Sequence, residues 1–434
     1  MRKTNRQKGI TLVALIITII ILLILAGISI ASLTQTGLFT KAKEAKQNTI
    51  DAQLKENTTL NEYDEWIAKY GGKGGSSEGQ PITKVDTSKT NPEGAKPKGV
   101  TVIEGNAIKG IVIKDSNDNE WVWVEVPKNI FTTAKSASEY DNIKADLIEY
   151  AKDYRSSGYT DEWYAMDGST LVTASTSGLT ETQKGLKNGC GLTYNEYQMA
   201  YQKMLSSVYT NGGFWISRYE AGIEGTNTDE EINEIPNVRY EHSDITNSSP
   251  KAVSQANRIP YNYVYCSEAQ TLASAMSTDS SKTSSLLFGI QWDLTCKFLQ
   301  EKGGLKITEI KGGDGVESTN WGNYANSSIR LTRGKYNTKP NSSNSKWINV
   351  TKGSKSVKTL LTTGASEDVN KMNIYDFAGN EWEWTLEKTF NASFPCASRG
   401  GSFRNDSSDY PASYRGYDNT TLGDTGVGFR STLY

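Results

Sequence analysis

One histidine, His242, and four cysteines, Cys190, Cys266, Cys296 and Cys396, are the imidazole and thiol groups of this 434-residue chain. A single imidazole excludes any site built on two or three histidines. It leaves serine- or cysteine-histidine catalysis only if His242 is the base. His242 stands in the polar run RYEHSD, which reads as a solvated loop. Four cysteines are too few for a disulfide-dense scaffold. Cys190, Cys266 and Cys296 read as small buried hydrophobes, and a disulfide outside a membrane stays open with no pair favoured. The richest recognition chemistry lies in Phe403–Gly428, where RNDSSDYPASYRGYDNTTLGDTGV is crowded with Asn, Asp, Ser, Tyr and Arg. Four Arg and four Asp leave residues 399–434 near neutral. Such a mixture resembles an antibody contact surface, with Tyr and Arg as anchors and small polar residues as adaptable partners. The candidate ligand-binding residues are Phe403, Arg404, Asn405, Asp406, Ser408, Asp409, Tyr410, Ser413, Tyr414, Arg415, Tyr417, Asp418, Asn419 and Thr421.

These residues need a scaffold, and the composition supplies one. With 36% apolar residues and 39 glycines the chain has enough to fold, and 22% charge argues against bulk disorder. A net charge of −2 excludes a nucleic-acid-coating protein. From Val100 the texture is α+β. IVIKDSNDNEWVWVEVP alternates around a turn at Ser116–Asn119 and predicts a hairpin, with Trp121 and Trp123 on one face. Tyr140, Ile143, Leu147 and Tyr150 predict a helix within 138–152. Thr193 and Glu196 form a capping box before a helix carrying Tyr197, Ala200, Tyr201, Met204 and Leu205 on one face. FWISRYEAG (214–222) predicts a strand. Ser267 and Gln270 predict a second capping box, and Ile290, Leu294 and Phe298 a helix stopped at Gly303–Gly304.

Ahead of this domain, Arg2, Lys3, Arg6 and Lys8 precede an uncharged, mostly apolar run over 10–30, long enough for a helix to span a bilayer core. The flanking charges predict a cytoplasmic N-terminus and an extracellular remainder. Ala42, Ala45, Ile50, Leu54, Leu60 and Ile67 extend the helix toward residue 70, and 71–99 reads as a flexible Gly/Ser/Pro/Lys linker. Residues 1–46 hold seven basic side chains and one acidic, so the rest carries −8 and is not steered to nucleic acid. KGITLVALIITIIILLILAGISI resembles the N-terminus of type IV prepilins and pseudopilins. The resemblance implies a leader over 1–9, cleavage between Gly9 and Ile10 by a prepilin peptidase, and filament subunits as partners. Where pilins carry a glutamate, fifth in the mature chain, this sequence has Ala14, which counts against filament incorporation.

WVWVEVP, GGFWISRYEAG, SSLLFGIQWDLTCKFLQEKGG, NIYDFAGNEWEWT, RGGSFRN and VGFRSTLY, in that order, resemble the formylglycine-generating enzyme (sulfatase-modifying factor) superfamily over about 100–434. The resemblance implies a loop-rich variant of the C-type lectin fold. The family's oxidase holds copper on two cysteines after R-G-G-S, and no cysteine follows Cys396 here. Its sulfoxide-synthase branch requires a histidine cluster, which one histidine cannot supply. The resemblance further implies a Ca²⁺ site at Asp376, the carbonyls of Gly379 and Glu381, and the Glu383 carboxylate, a hard-oxygen set. The alternative is a capped loop in which Glu383 bonds backbone N–H groups. Trp382 and Trp384 read as straddling the core, Arg399-Gly400-Gly401 as a tight turn, and Arg430 as the partner of a buried carboxylate. In C-type-lectin-like relatives the stretch between R-G-G-S and G-F-R lines the exposed binding face, and diversity-generating retroelements vary it.

The sequence therefore predicts an N-terminal transmembrane, pilin-like α-helix followed by a loop-rich α+β C-type-lectin-like domain. This would be a surface-displayed, non-enzymatic protein whose ligand is a protein or a glycan. The alternatives are an oxidoreductase of the formylglycine-generating type and a structural minor pilin.

Overall fold

The computed structural model describes residues 90–434 except 99, 106–108, 168–169, 173–178, 227–233, 237–248, 314–316, 343–344 and 351–358. The chain divides into two units, 1–76 and 77–434, and the described residues all belong to the second. The processing site at Gly9 and Ile10, the apolar run, its helical extension and His242 lie outside the described residues. Among the described residues no helix is long and apolar enough to cross a membrane.

The folded unit starts earlier than residue 100. Asn91 caps a single turn, Pro92–Ala95, through a bond from Gly94 N–H, and Ala95 is buried in the main core. The last residues of the expected 71–99 linker are thus part of the domain, because their proline and alanine have apolar surface to cover. Next come β1 (Thr101–Glu104), β2 (Val112–Lys114) and β3 (Glu120–Glu125), paired antiparallel in order. Asp115 builds the expected hairpin turn: its Oδ1 accepts from the N–H groups of Asn117 and Asn119, and its Oδ2 from Trp121 Nε1 at 3.0 Å. Trp121, Val122, Trp123 and Val124 are all buried, so this strand is covered on both faces.

Helix α1 spans Tyr140–Tyr150 and α2 spans Tyr194–Asn211. The Thr193–Glu196 capping box closes as the sequence predicts, and α2 ends on Gly212 in the left-handed conformation. The strand expected over 214–222 is shorter: β4 covers Gly213–Ser217. It stops there because Tyr219 leaves the sheet to stack on Tyr375 in a smaller core with Ile329, Leu331 and Leu361. Helix α3 (Cys266–Ser274) is boxed two residues before the predicted pair. Glu268 accepts from Tyr265 N–H at 2.8 Å, while Gln270 Oε1 accepts from the Leu286 N–H of β5 (Ser284–Leu286) at 3.0 Å. Helix α4 follows at Gly289–Glu301.

Towards the C-terminus come β6 (Trp382–Thr389), β7 (Cys396–Arg399), β8 (Arg415–Asp418), β9 (Val427–Phe429) and β10 (Ser431–Leu433). The largest sheet is six-stranded and antiparallel and runs β1-β2-β3-β4-β10-β5. A second, five-stranded sheet runs β8-β7-β6-β9, with β9 parallel to β6 and Tyr159–Thr160 pairing on the end of β6; three smaller sheets complete the unit. Consecutive strands β9 and β10 thus belong to different sheets, and Arg430 stands at the step between them. Its guanidinium donates to Glu383 of β6, to Ser217 O at the end of β4 and to Tyr375 O, which ties both sheets to one cation.

Candidate functional site

A buried ionic network underlies the C-terminal loops. Asp293 enters from α4 and Glu387 from β6, both fully covered. Arg399 spans them, donating to Asp293 Oδ1 at 2.8 Å and Glu387 Oε2 at 3.0 Å. Arg415 grips the same pair, at 2.6 Å to Asp293 Oδ2 and 3.0 Å to Glu387 Oε1, and Arg155 adds a third contact at 2.8 Å to Asp293. Burial drives the Asp293 carboxyl upward, but Arg415, Arg399 and Arg155 outweigh it and hold it below the usual carboxylate range. Next to the network, Asp161 accepts from the N–H groups of Gly289 and Ile290 and so caps α4.

Above this base the chain turns at Gly400 and Gly401, both at positive φ as the sequence predicts. A Cβ on Gly401 would lie 2.6 Å from Tyr410 O and 2.8 Å from the Tyr324 ring, so only glycine lets the 402–410 loop fold back. The loop delivers Tyr410 against Trp382 (centroids 5.6 Å, edge-on) and Tyr414 (4.9 Å), while Tyr414 also meets Trp382 at 5.9 Å. Trp382 is half-buried and Trp384 buried. The two therefore do not straddle the core, since residues two apart on a strand share a face. Tyr414 is 37% exposed and Tyr417 53%. Burial raises the Tyr414 phenol, and Tyr410, Tyr417 and Asp409 add to the shift. Tyr417 also packs against exposed Phe394.

The fourteen candidate binding residues divide by burial. Arg404, Asp406, Ser408, Asp409, Tyr414, Tyr417, Asn419 and Thr421 are exposed, and Asn405, Tyr410, Ser413 and Asp418 half-buried. Phe403 and Arg415 are corrections. Phe403 is 3% exposed within the core, and Arg415 belongs to the ionic network. Some of the others shape loops. Asn405 Oδ1 accepts from Ser402, Asn419 Oδ1 from Thr421 N–H, Asp418 from Ser398 Oγ, and Arg404 is held by Asp424 at 2.7 Å. Arg155, Asp161, Asp293 and Glu387 are further members that the sequence motifs do not mark. For Asp293 there is a signal, an acid on the apolar face of a helix, three residues from Ile290 and next to Leu294.

The calcium expectation meets a set of buried carboxylates. Glu383 gives both oxygens to Arg430, at 2.9–3.2 Å. Asp376 Oδ2 accepts from Gly364 N–H and Glu381 Oε1 from Asn262 Nδ2, while Gly379 N–H donates to Gly400 O. Asp376 Oδ1, Glu381 Oε2 and Glu220 Oε2 are buried without a partner. Burial pushes Asp376 up to about 6, and burial together with the charge of neighbouring carboxylates pushes Glu220 and Glu381 well above the usual range. The donors are hard oxygens, as Ca²⁺ requires, but Glu383 already belongs to Arg430, and Glu220, which the sequence reading did not consider, joins the set.

Among the described residues, one group of three His, Cys, Asp or Glu side chains brings its ligating atoms within 4.8 Å of one another: Cys190, Cys266 and Cys396. All four cysteines are buried, as expected of Cys190, Cys266 and Cys296, but the convergence of three of them is not legible from their spacing. Two open clefts lie elsewhere on the surface. The larger, about 500 Å³, is lined by Glu139, Asp141, Asp161, Glu162 and Tyr201 among others. The smaller, about 420 Å³, is lined by Asn188, Gly189, Tyr265, Thr420 and Thr421 among others.

The sulfatase-modifying factor enzyme 1-like domain matches residues 156–433. No curated protein matches the chain. Among solved structures, CarF is 14% identical with a TM-score of 0.25, covering 51% of this chain and 85% of its own. Treponema denticola variable protein 1 is 14% identical with a TM-score of 0.21, covering 78% of this chain and 92% of its own.

Proposed function

Because the chain belongs to the sulfatase-modifying factor enzyme 1-like domain family, we propose that it uses that scaffold to bind a protein or glycan ligand rather than to oxidise a substrate. The observation that carries this reading is the aromatic patch of Trp382, Tyr410 and Tyr414, part-exposed, above the ionic network and followed along the chain by exposed Tyr417. Tyrosines offer a flat apolar face and a hydroxyl at small entropic cost, which suits recognition. A copper oxidase of the expected type needs thiols in the loop after Ser402, and that loop carries none. Display at the cell surface, with Gly9–Ile10 processing, rests on the N-terminal sequence alone, and Ca²⁺ is proposed only as a stabiliser of the Glu220–Asp376–Glu381 region. Retroelement diversification of 404–427 is the finer form of the same reading. A near-copy of that coding stretch, differing only at adenines, beside a reverse transcriptase would support it.

The test is a screen of the full-length chain against arrayed glycans and cell-surface proteins, with Tyr414→Ala and Tyr417→Ala in parallel. Binding that both substitutions weaken supports the patch, and binding that neither changes moves the site elsewhere. Oxygen consumption with a cysteine-containing peptide tests the oxidase alternative, and turnover would reject the binding-only reading.

A further inference from the structure

Three of the four cysteines come together from distant parts of the chain. Cys190 lies in the loop before α2, Cys266 is the first residue of α3, and Cys396 opens β7. All three are fully buried. Cys266 Sγ stands 2.8 Å from Cys190 Sγ, and the three sulfurs lie within 4.8 Å of one another. The nearby oxygens are the Tyr164 hydroxyl, 3.6 Å from Cys396 Sγ, and the Thr385 carbonyl, 3.6 Å from Cys190 Sγ and 3.7 Å from Cys266 Sγ. All three belong to the main core, yet a disulfide would use two sulfurs and leave the third beside it. Three sulfurs within 4.8 Å of one another, with two oxygens in reach, form a soft-ligand corner.

The corner is close to the surface. Gly189 is the wall between it and the 420 Å³ cleft: a Cβ there would lie 2.6 Å from Tyr164 Oη and 2.7 Å from Cys396 Sγ. With all three sulfurs fully buried there is no room beside them for a substrate, so a site here would be structural rather than catalytic.

We propose that Cys190, Cys266 and Cys396 form a three-sulfur site for a thiophilic closed-shell cation, of the class of Zn²⁺ or Cu⁺, that clasps the 188–191 loop, α3 and β7 together. Binding replaces thiol protons with the ion, so protons are released and no electrons are transferred. None of the three sulfurs belongs to the aromatic cluster or to the family's copper position after R-G-G-S, although β7, which Cys396 opens, pairs with the β8 strand that carries Tyr417.

The full-length chain, purified under reducing conditions and stripped of metal, is titrated with Zn²⁺ and separately with Cu⁺ against a chromophoric competitor. Metal content of the protein as isolated from cells tells which ion occupies it. One equivalent bound, a sulfur-dominated first shell by X-ray absorption and a raised melting temperature are expected. Cys396→Ala should weaken binding by roughly 100-fold or more, while Cys296→Ala, outside the cluster, should leave it intact. If Cys396→Ala fails to fold, the absorption spectrum of the unaltered chain decides, since its sulfur count needs no variant. A shell without sulfur, binding equal in the triple alanine variant, or a Cys190–Cys266 disulfide in thiol-trapped protein would each overturn the proposal.

Discussion

Arg415 donates from a single Nη2 to both carboxylate oxygens of Asp293, at 2.7 and 2.6 Å, across 122 residues of sequence. Its Nε meets Glu387 at 3.0 Å and its Nη1 the carbonyl of Tyr154 at 2.6 Å. An arginine inside a Tyr/Asn/Asp-rich loop thus acts as a bolt, and the loop on either side of it is the surface. Among the described residues, the cationic partners of Asp293 and Glu387 are Arg155, Arg399 and Arg415.

Removing one partner of such a network leaves buried charge uncompensated, which costs about 3–5 kcal/mol. Arg415→Ala is therefore expected to lower unfolding free energy by about that amount, as read by urea denaturation. Arg415→Lys should recover little, because an ammonium cannot present the forked donors that reach Asp293 and Glu387 together. A variant as stable as the parent would return Arg415 to the binding surface.

Phe403 and Tyr417 are neighbours in composition and opposites in role. Phe403→Ala is expected to cost about 3–5 kcal/mol, as for other buried aromatics. Tyr417→Ala, at a half-exposed position on an edge strand, is expected to stay within about 1 kcal/mol of the parent. Thermal melts of the two variants, run together, separate scaffold from surface without knowing the ligand.

Local signals carried far in this chain. The Asp115 turn, the Thr193–Glu196 box, α4 and the glycine pair at 400–401 all sit where short-range residue patterns place them. What the pattern could not supply was pairing between distant segments. Nothing local tells that Gln270 reaches Leu286, that Tyr219 leaves its strand for Tyr375, or that three cysteines meet. Polar composition was a fair guide to surface at Asp409 and Tyr417. It failed at Arg415 because a long side chain can leave its backbone's surroundings and cross into the interior.

Asp376 gives a pH signature. The ordinary aspartate value of 3.8 is pushed up to about 6 by burial. Between those values the folded chain holds a proton that the unfolded chain has lost, so stability falls as pH rises through the window. The full effect is about 3 kcal/mol at most. Asp376→Asn removes the buried charge at a left-handed position that asparagine tolerates. Without Ca²⁺ it should raise the melting temperature at about pH 8 and change it little at about pH 4. If Ca²⁺ neutralises this region in the parent, adding the ion at high pH should raise the parent's melting temperature and do less for the variant. A variant that is less stable than the parent at both pH values would refute the buried-charge account.

The turn at Gly401 supplies the sharpest local test of how the aromatic patch is held. Its φ is +74°, in a region that costs a non-glycine residue roughly 1–2 kcal/mol. An added Cβ would also lie 2.6 Å from Tyr410 O, so the loop carrying Tyr410 must move outward. Gly401→Ala is therefore expected to lower stability by about 2 kcal/mol or more. It should also separate Tyr410 from Trp382, whose rings now meet edge-on at 5.6 Å. Near-ultraviolet circular dichroism reports that aromatic contact directly, and Tyr410→Ala serves as the reference for its loss. A Gly401→Ala spectrum matching Tyr410→Ala, with the far-ultraviolet signal preserved, is the expected result. An unchanged aromatic spectrum would mean that the patch is positioned by β8 alone and owes nothing to the glycine turn.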